Sequence, residues 1–146
     1  MSGFRTLAPA VQAALLAAIA AAAPDTTSVS LGYPPGGLAA EQVWVEGDFE
    51  FDVSLETSGW TQRQEDGTTE VRIAVTQTCD SFLGPQSRAL ELAGMVEDCL
   101  AADRTLGGVV DRCAVSKGKG QEAIPSEHQH QFGIILTVAW AGTAAA

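Results

Sequence analysis

The chain has 146 residues, 46% of them hydrophobic and 18% charged, with a formal net charge of −10. That length can build a real core, and that composition excludes wholesale disorder. Eighteen acids against eight bases exclude sequence-independent nucleic-acid binding, which needs Lys and Arg to neutralise phosphates.

The first element is an Ala-rich helix over residues 7–23. Leu7, Val11, Leu15 and Ile19 recur every four residues, with Leu16 widening the stripe, so one face is built for docking. Arg5 ahead of the run and Ala20-Ala21-Ala22 within it imitate a signal peptide. Pro9, Gln12 and the weak hydrophobicity of alanine favour the docked helix, and a membrane span would need roughly 20 strongly apolar residues. Pro24 closes the helix. Val29, Leu31 and Tyr33 alternate as a short strand, stopped by Pro34-Pro35-Gly36-Gly37, and Gln42–Glu46 forms another around Val43-Trp44-Val45.

After Gly47 the chain alternates acid and hydrophobe. Asp48, Glu50, Asp52 and Glu56 occupy one set of positions, with Ser54 among them, and Phe49, Phe51, Val53 and Leu55 the other. Strand side chains alternate between faces, so this reads as a half-buried strand with its hydrophobes in the core and a carboxylate stripe outside. Residues 58–68 read as a long polar hairpin loop carrying Trp60, either an assembly contact or a ring folded back on its own sheet. The return strand is expected at Glu70–Thr78, with Val71, Ile73 and Val75 facing the core.

A second helix is expected at 86–103, its apolar face formed by Ala89, Leu92, Ala93, Val96, Cys99 and Leu100. Leu106-Gly107-Gly108 makes a tight turn into a strand at Val109–Val115, the glycines permitting φ > 0. Ser116–Gln129 reads as a mobile loop, Phe132–Trp140 as the last strand, and 141–146 as a frayed tail. Hairpin strands beside two helices give an α+β fold, a mostly antiparallel sheet with both helices on one face, in a single domain spanning 1–146.

The residues offer little chemistry. No Gly-x-Ser-x-Gly elbow or His-Glu-x-x-His is present, and Lys117 and Lys119 lack the context of a phosphate loop. Cys79, Cys99 and Cys113 match no zinc pattern and read as reduced thiols, and His128 and His130 read as a polar strand start. No catalytic residue, cofactor or metal is assigned. The acidic stripe admits three readings: paired carboxylates of a hydrolase or Mg²⁺ site, a solvated face without consequence, or a surface that acts through its field. Its even spacing along one strand, with no nearby His or Lys in sequence, favours the last.

Several local patterns resemble the tail terminator proteins of long-tailed phages, of the lambda minor tail protein U type. They are the Ala/Leu-rich opening helix, Val43-Trp44-Val45 before an acidic turn, a long hairpin returning as Glu70-Val71-Arg72-Ile73-Ala74-Val75, Arg88-Ala89-x-x-Leu92 in a helix, the Leu106-Gly107-Gly108 turn, and an apolar last strand. The likeness covers about residues 7–140. It implies a structural virion protein made in the host cytoplasm and placed at the neck of the tail. There a homohexameric ring would cap the tail tube, stop its growth, and meet both the tube protein and a head-side connector or completion protein. It implies no enzyme activity and no membrane. The residues' own pattern fits such a ring: the acidic stripe suits a lumen that repels DNA passing without specific binding, and Trp60, in a loop that departs from the family pattern, suits an assembly contact. The residues also admit another neck or head-completion protein, or an unrelated α+β enzyme or ligand-binding domain with a deep polar pocket.

Overall fold

The computed structural model describes residues 5–55 and 62–145, with the side chains of Leu55, Gln62 and Ala145 left aside. Within these residues the order is α1 (Ala8–Ala22), β1 (Ser28–Leu31), β2 (Glu41–Leu55), β3 (Gln62–Thr78), α2 (Leu83–Ala102), β4 (Arg112–Ser126) and β5 (Gln129–Ala145). The strands form one sheet in the order β1-β2-β3-β5-β4. β1 lies parallel to β2 and the other pairs are antiparallel. The α+β architecture is the one expected.

Both helices pack on one face of the sheet. Val11, Leu15 and Ile19 of α1 and Ala89, Leu92, Val96 and Leu100 of α2 share a core with Val43, Val45, Val71, Ile73, Val75, Ile134, Leu136 and Val138. The fourfold ladder of α1 is thus its docking face, and Pro9 sits in the first turn, where its missing N–H breaks no helical bond. Ala23 turns extended, as the residue before a proline prefers. Leu106, Gly107 and Gly108 all take positive φ, 50°, 71° and 90°. Asp103 ties this turn together, one oxygen accepting from the Thr105 amide and hydroxyl and the other from the Gly107 amide at 2.8 Å. Those donors hold its carboxyl below the usual aspartate range, the Thr105 hydroxyl most of all. The left-handed turn drops Leu106 into the core and aims the chain into β4.

Several boundaries differ from the sequence reading; α2 begins at Leu83 rather than 86, β4 at Arg112 rather than Val109 and β5 at Gln129 rather than Phe132. The strands expected at 42–46 and near 48–57 are one strand, β2. Its pairing with β3 is irregular at Gly47: Val45 lies opposite Val71 and Phe49 opposite Thr69, so Glu46, Gly47 and Asp48 face Glu70 alone. Gln12, buried on α1, donates to the carbonyls of Glu46 (2.8 Å) and Gly47 (3.1 Å), satisfying groups that the irregular ladder leaves free. The return strand β3 starts at Gln62 rather than Glu70, so the expected loop is shorter and 62–69 are paired. The expected loop at Ser116–Gln129 is mostly strand, with β4 running to Ser126. Its residues from Ser116 onward are exposed, so no hydrophobic period marks it in sequence. The expected frayed tail is corrected too: β5 continues through Ala145, and Ala141 and Ala144 are buried against neighbouring strands. Finally β1 stops at Leu31, because Gly32 takes φ 75° and leaves Tyr33 outside the strand.

Cys79, Cys99 and Cys113 are free thiols. Burial pushes the Cys99 and Cys113 thiols up, away from the reactive thiolate. The His130 Nδ1–H donates at 2.8 Å to the Cys79 carbonyl and the ring packs edge-on against Phe82, tying the start of β5 to the end of β3.

Candidate functional site

The distal half of the β2–β3 hairpin carries the acidic stripe. Glu50 lies opposite Thr68, Asp52 opposite Asp66 and Ser54 opposite Gln64. Directly opposed residues share a sheet face, so Asp48, Glu50 and Asp52 stand with Asp66 on the face away from the helices, all exposed. Glu56 and Trp60 lie outside the described residues.

The hydrophobic positions need a correction. Phe49, Phe51 and Val53 do face the helix side, opposite Thr69, Gly67 and Glu65. Phe49 and Val53 are not core residues, at 37% and 40% exposed, whereas Phe51 is half-buried and packs against the edge of the core. Parity decides which face a strand residue takes, but not whether anything covers that face. Here the helices cover the proximal sheet, and the hairpin extends beyond their main contact.

Three residues of the site were missed in sequence because 58–68 read as loop. Asp66 stands directly across from Asp52, a like-charged pair at a separation that costs stability. Glu65 is fully buried. One of its oxygens accepts from the Thr6 hydroxyl and from the Leu7 amide at 3.0 Å, so the segment before α1 is fastened to β3. Gly67 lies against the indole of Trp140; a Cβ there would come 2.2 Å from the ring. The signal available was Gly67 itself, since an interior strand glycine marks close approach.

Charge divides across the outer face. At the base of the hairpin Arg72 bridges Glu46 at 3.1 Å and Glu70 at 3.0 Å, and the Trp44 indole donates to Glu46 at 2.7 Å. Further out, among the described residues, no ion pair joins Asp48, Glu50, Asp52 or Asp66. Along two of these rows the sheet then passes to small neutral residues of β5 and to bases on β4, whereas the row of Glu50 ends at Ala114. The row of Asp52 continues through Asp66 and Ala141 to Arg112; that of Glu70 continues through Thr137 to Lys117. A cleft of ≈ 500 Å³ lies over this region, with Glu50, Asp52 and Asp66 among its lining residues and Arg104 and Arg112 also on it. Among the described residues no three of His, Cys, Asp and Glu gather as a metal site, and no helix is long and apolar enough to cross a membrane.

One acid belongs to the scaffold. Arg88 on α2 forks onto both oxygens of Glu41, at 3.0 and 3.1 Å, and reaches Glu91 at 2.9 Å. The Arg88 hydrogen bonds are the main reason the Glu41 carboxyl is held below its ordinary range. A depressed carboxylate contributes stability that is fully present above its unfolded pKa, about 4.3, and is lost as pH falls through the lower folded value. Arg88→Met should therefore lower stability by about 1 kcal/mol at pH 7 and flatten the acid limb below pH ~4, read by urea melts across pH. Equal acid limbs in both proteins would count against this pair as a source of the pH dependence.

No protein-family model matches the chain, and no curated protein matches it. Among solved structures, a chain described as part of the virion of a native gene transfer agent particle is similar over 95% of this chain and 100% of its own length. The identity is 15% and the TM-score 0.45.

Proposed function

We propose that this chain is a structural virion protein, a phage tail terminator. Copies close into a ring, six by the family resemblance, that caps the tail tube, ends its polymerisation and joins it to the head-side connector. The observation that carries the reading is the exposed face of Asp48, Glu50, Asp52 and Asp66, set opposite the helices. A ring that turns its helices outward presents these carboxylates to its channel, where they repel phosphates and let DNA slide. Glu56 extends the stripe in this reading, Trp60 serves as an assembly contact, and residues 1–146 act as one domain without catalytic residues. The protein works in the neck of the virion after assembly from the host cytoplasm.

Tube protein polymerised with and without the purified chain, imaged by negative stain, tests the role. Tubes ending in a ring, with a narrowed length distribution, are the expected result. Binding to heads but never to tubes would make it another neck or head-completion protein. Binding to neither would overturn the virion reading.

A further inference from the structure

We propose that copies of this chain join head to tail by pairing the open edge of β2 at Asp48–Asp52 with the open edge of β4 at Arg112–Lys117 in the next copy. This rests on the ring reading above and names its contact.

Three independent features converge on it. The first is topology. β1 covers β2 only along Gln42–Val45, so the distal part of β2 has β3 as its sole neighbour among the described strands, and β4 ends the sheet on the other side. An uncovered edge presents unpaired N–H and C=O groups and is a template for another strand. β2 and β4 run in opposite directions within one copy, since three antiparallel steps separate them. Rotation about a ring axis brings β4 of one copy beside β2 of the next, antiparallel like the rest of the sheet.

The second feature is charge. The chain holds nine acids and one base between Glu41 and Glu70, but four bases and one acid between Arg104 and Lys119. On the outer face Asp52 and Arg112 end the same row, and Lys117 ends the row of Glu70, beside which Asp48 stands. Copies set level therefore place Arg112 beside the neighbour's Asp52 and Lys117 beside its Asp48. Charges on an edge strand ordinarily deter pairing with any strand. Opposite charges on the two open edges of one chain instead admit this chain's own partner edge and reject two like edges. The third feature is the uncovered apolar side of the same hairpin: exposed Phe49 and Val53 would be sheltered by the adjoining copy.

Two charge-reversed variants test the pairing, Asp48→Lys/Asp52→Arg and Arg112→Asp/Lys117→Glu. Each alone carries two like edges and should be monomeric where the parent is assembled, its half-assembly concentration raised roughly a hundredfold. An equimolar mixture should restore assemblies holding both variants in alternation, read by light scattering after size exclusion and by native mass spectrometry. Variants that assemble alone like the parent would overturn the inference, and so would a mixture that stays monomeric although both proteins melt cooperatively. If a variant does not fold, hydrogen exchange on the parent decides: amides in 48–52 and 112–117 gain protection on assembly, and no gain overturns the pairing. Closed parental rings that tolerate both reversals sink the edge contact and leave the terminator reading standing. Open filaments abolished by both reversals do the opposite. A parent that stays monomeric at every protein and salt concentration sinks both.

Discussion

Glu50→Lys with Asp66→Lys should give particles that assemble normally but release DNA more slowly, by a factor on the order of ten, with the defect shrinking as salt rises. Glu50 and Asp66 are the acids of choice because their rows end on β4 at Ala114 and Arg112 respectively, and Asp66 lies on an interior strand. Glu50 stands on the open edge of β2, but its row meets Ala114 rather than a base, so neither change removes one of the opposite-charge pairs proposed across the edges. Lysines around a channel bind phosphates that carboxylates would repel, and each such contact releases counterions, which is why salt should relieve the effect. Glu50→Gln with Asp66→Asn should leave release unchanged within about twofold. It should also raise stability by about 0.2–1 kcal/mol, because it ends the direct opposition of Asp52 and Asp66. Ejection kinetics from reconstituted virions at two salt concentrations measure both. Unchanged release by the lysine variant would remove these acids from the channel.

The second large effect is expected at Gly67. The Cα hydrogen that stands where a Cβ would be points at the Trp140 indole, and any Cβ would lie 2.2 Å from one ring carbon and 2.5 Å from another. Trp140 is itself only 3% exposed, so the ring has little room to withdraw. Gly67→Val should cost about 3 kcal/mol, the upper end for overpacking a filled core, which for a domain of this size lowers Tm by roughly 6–12 °C. Pairing it with Trp140→Leu should return part of the loss, whereas a conformational cause at Gly67 would leave the double variant no better than the sum of the two singles. Urea denaturation of the four proteins closes the cycle.

What could be read in the sequence was whatever repeats with a hydrophobic period. The ladder of α1, the buried face of α2 and the alternation Val71-Ile73-Val75 all lie against the core, and the period alone located them. The left-handed turn at Leu106-Gly107-Gly108 was legible for a different reason, the glycine pair. Strand residues 62–69 and 116–126 were not legible. Apart from the exposed Ile124 they have polar or small side chains, and they are held by backbone pairing with β2 and β5, an interaction that leaves no trace in side-chain chemistry. The same blindness hid Asp66 and the buried Glu65. Asp48, Glu50 and Asp52 stand on the face away from the helices, as their period implies, but behind them the helices do not extend to cover Phe49 and Val53.

The irregularity at Gly47 carries a lesson about how such a hairpin can change length. Two more residues lie on β2 than on β3 across it, an even number, so the acids beyond it keep the same side as Glu46 before it. Single insertions or deletions here would exchange the carboxylates and the phenyl rings between the two sides at one stroke. Paired ones are silent with respect to sidedness. Gln12 reaches the carbonyls of Glu46 and Gly47 from α1, giving the extra pair a fixed seat. The arm can therefore lengthen or shorten over evolutionary time in steps of two residues, a ruler with a minimum graduation, while what it shows to each side is inherited intact.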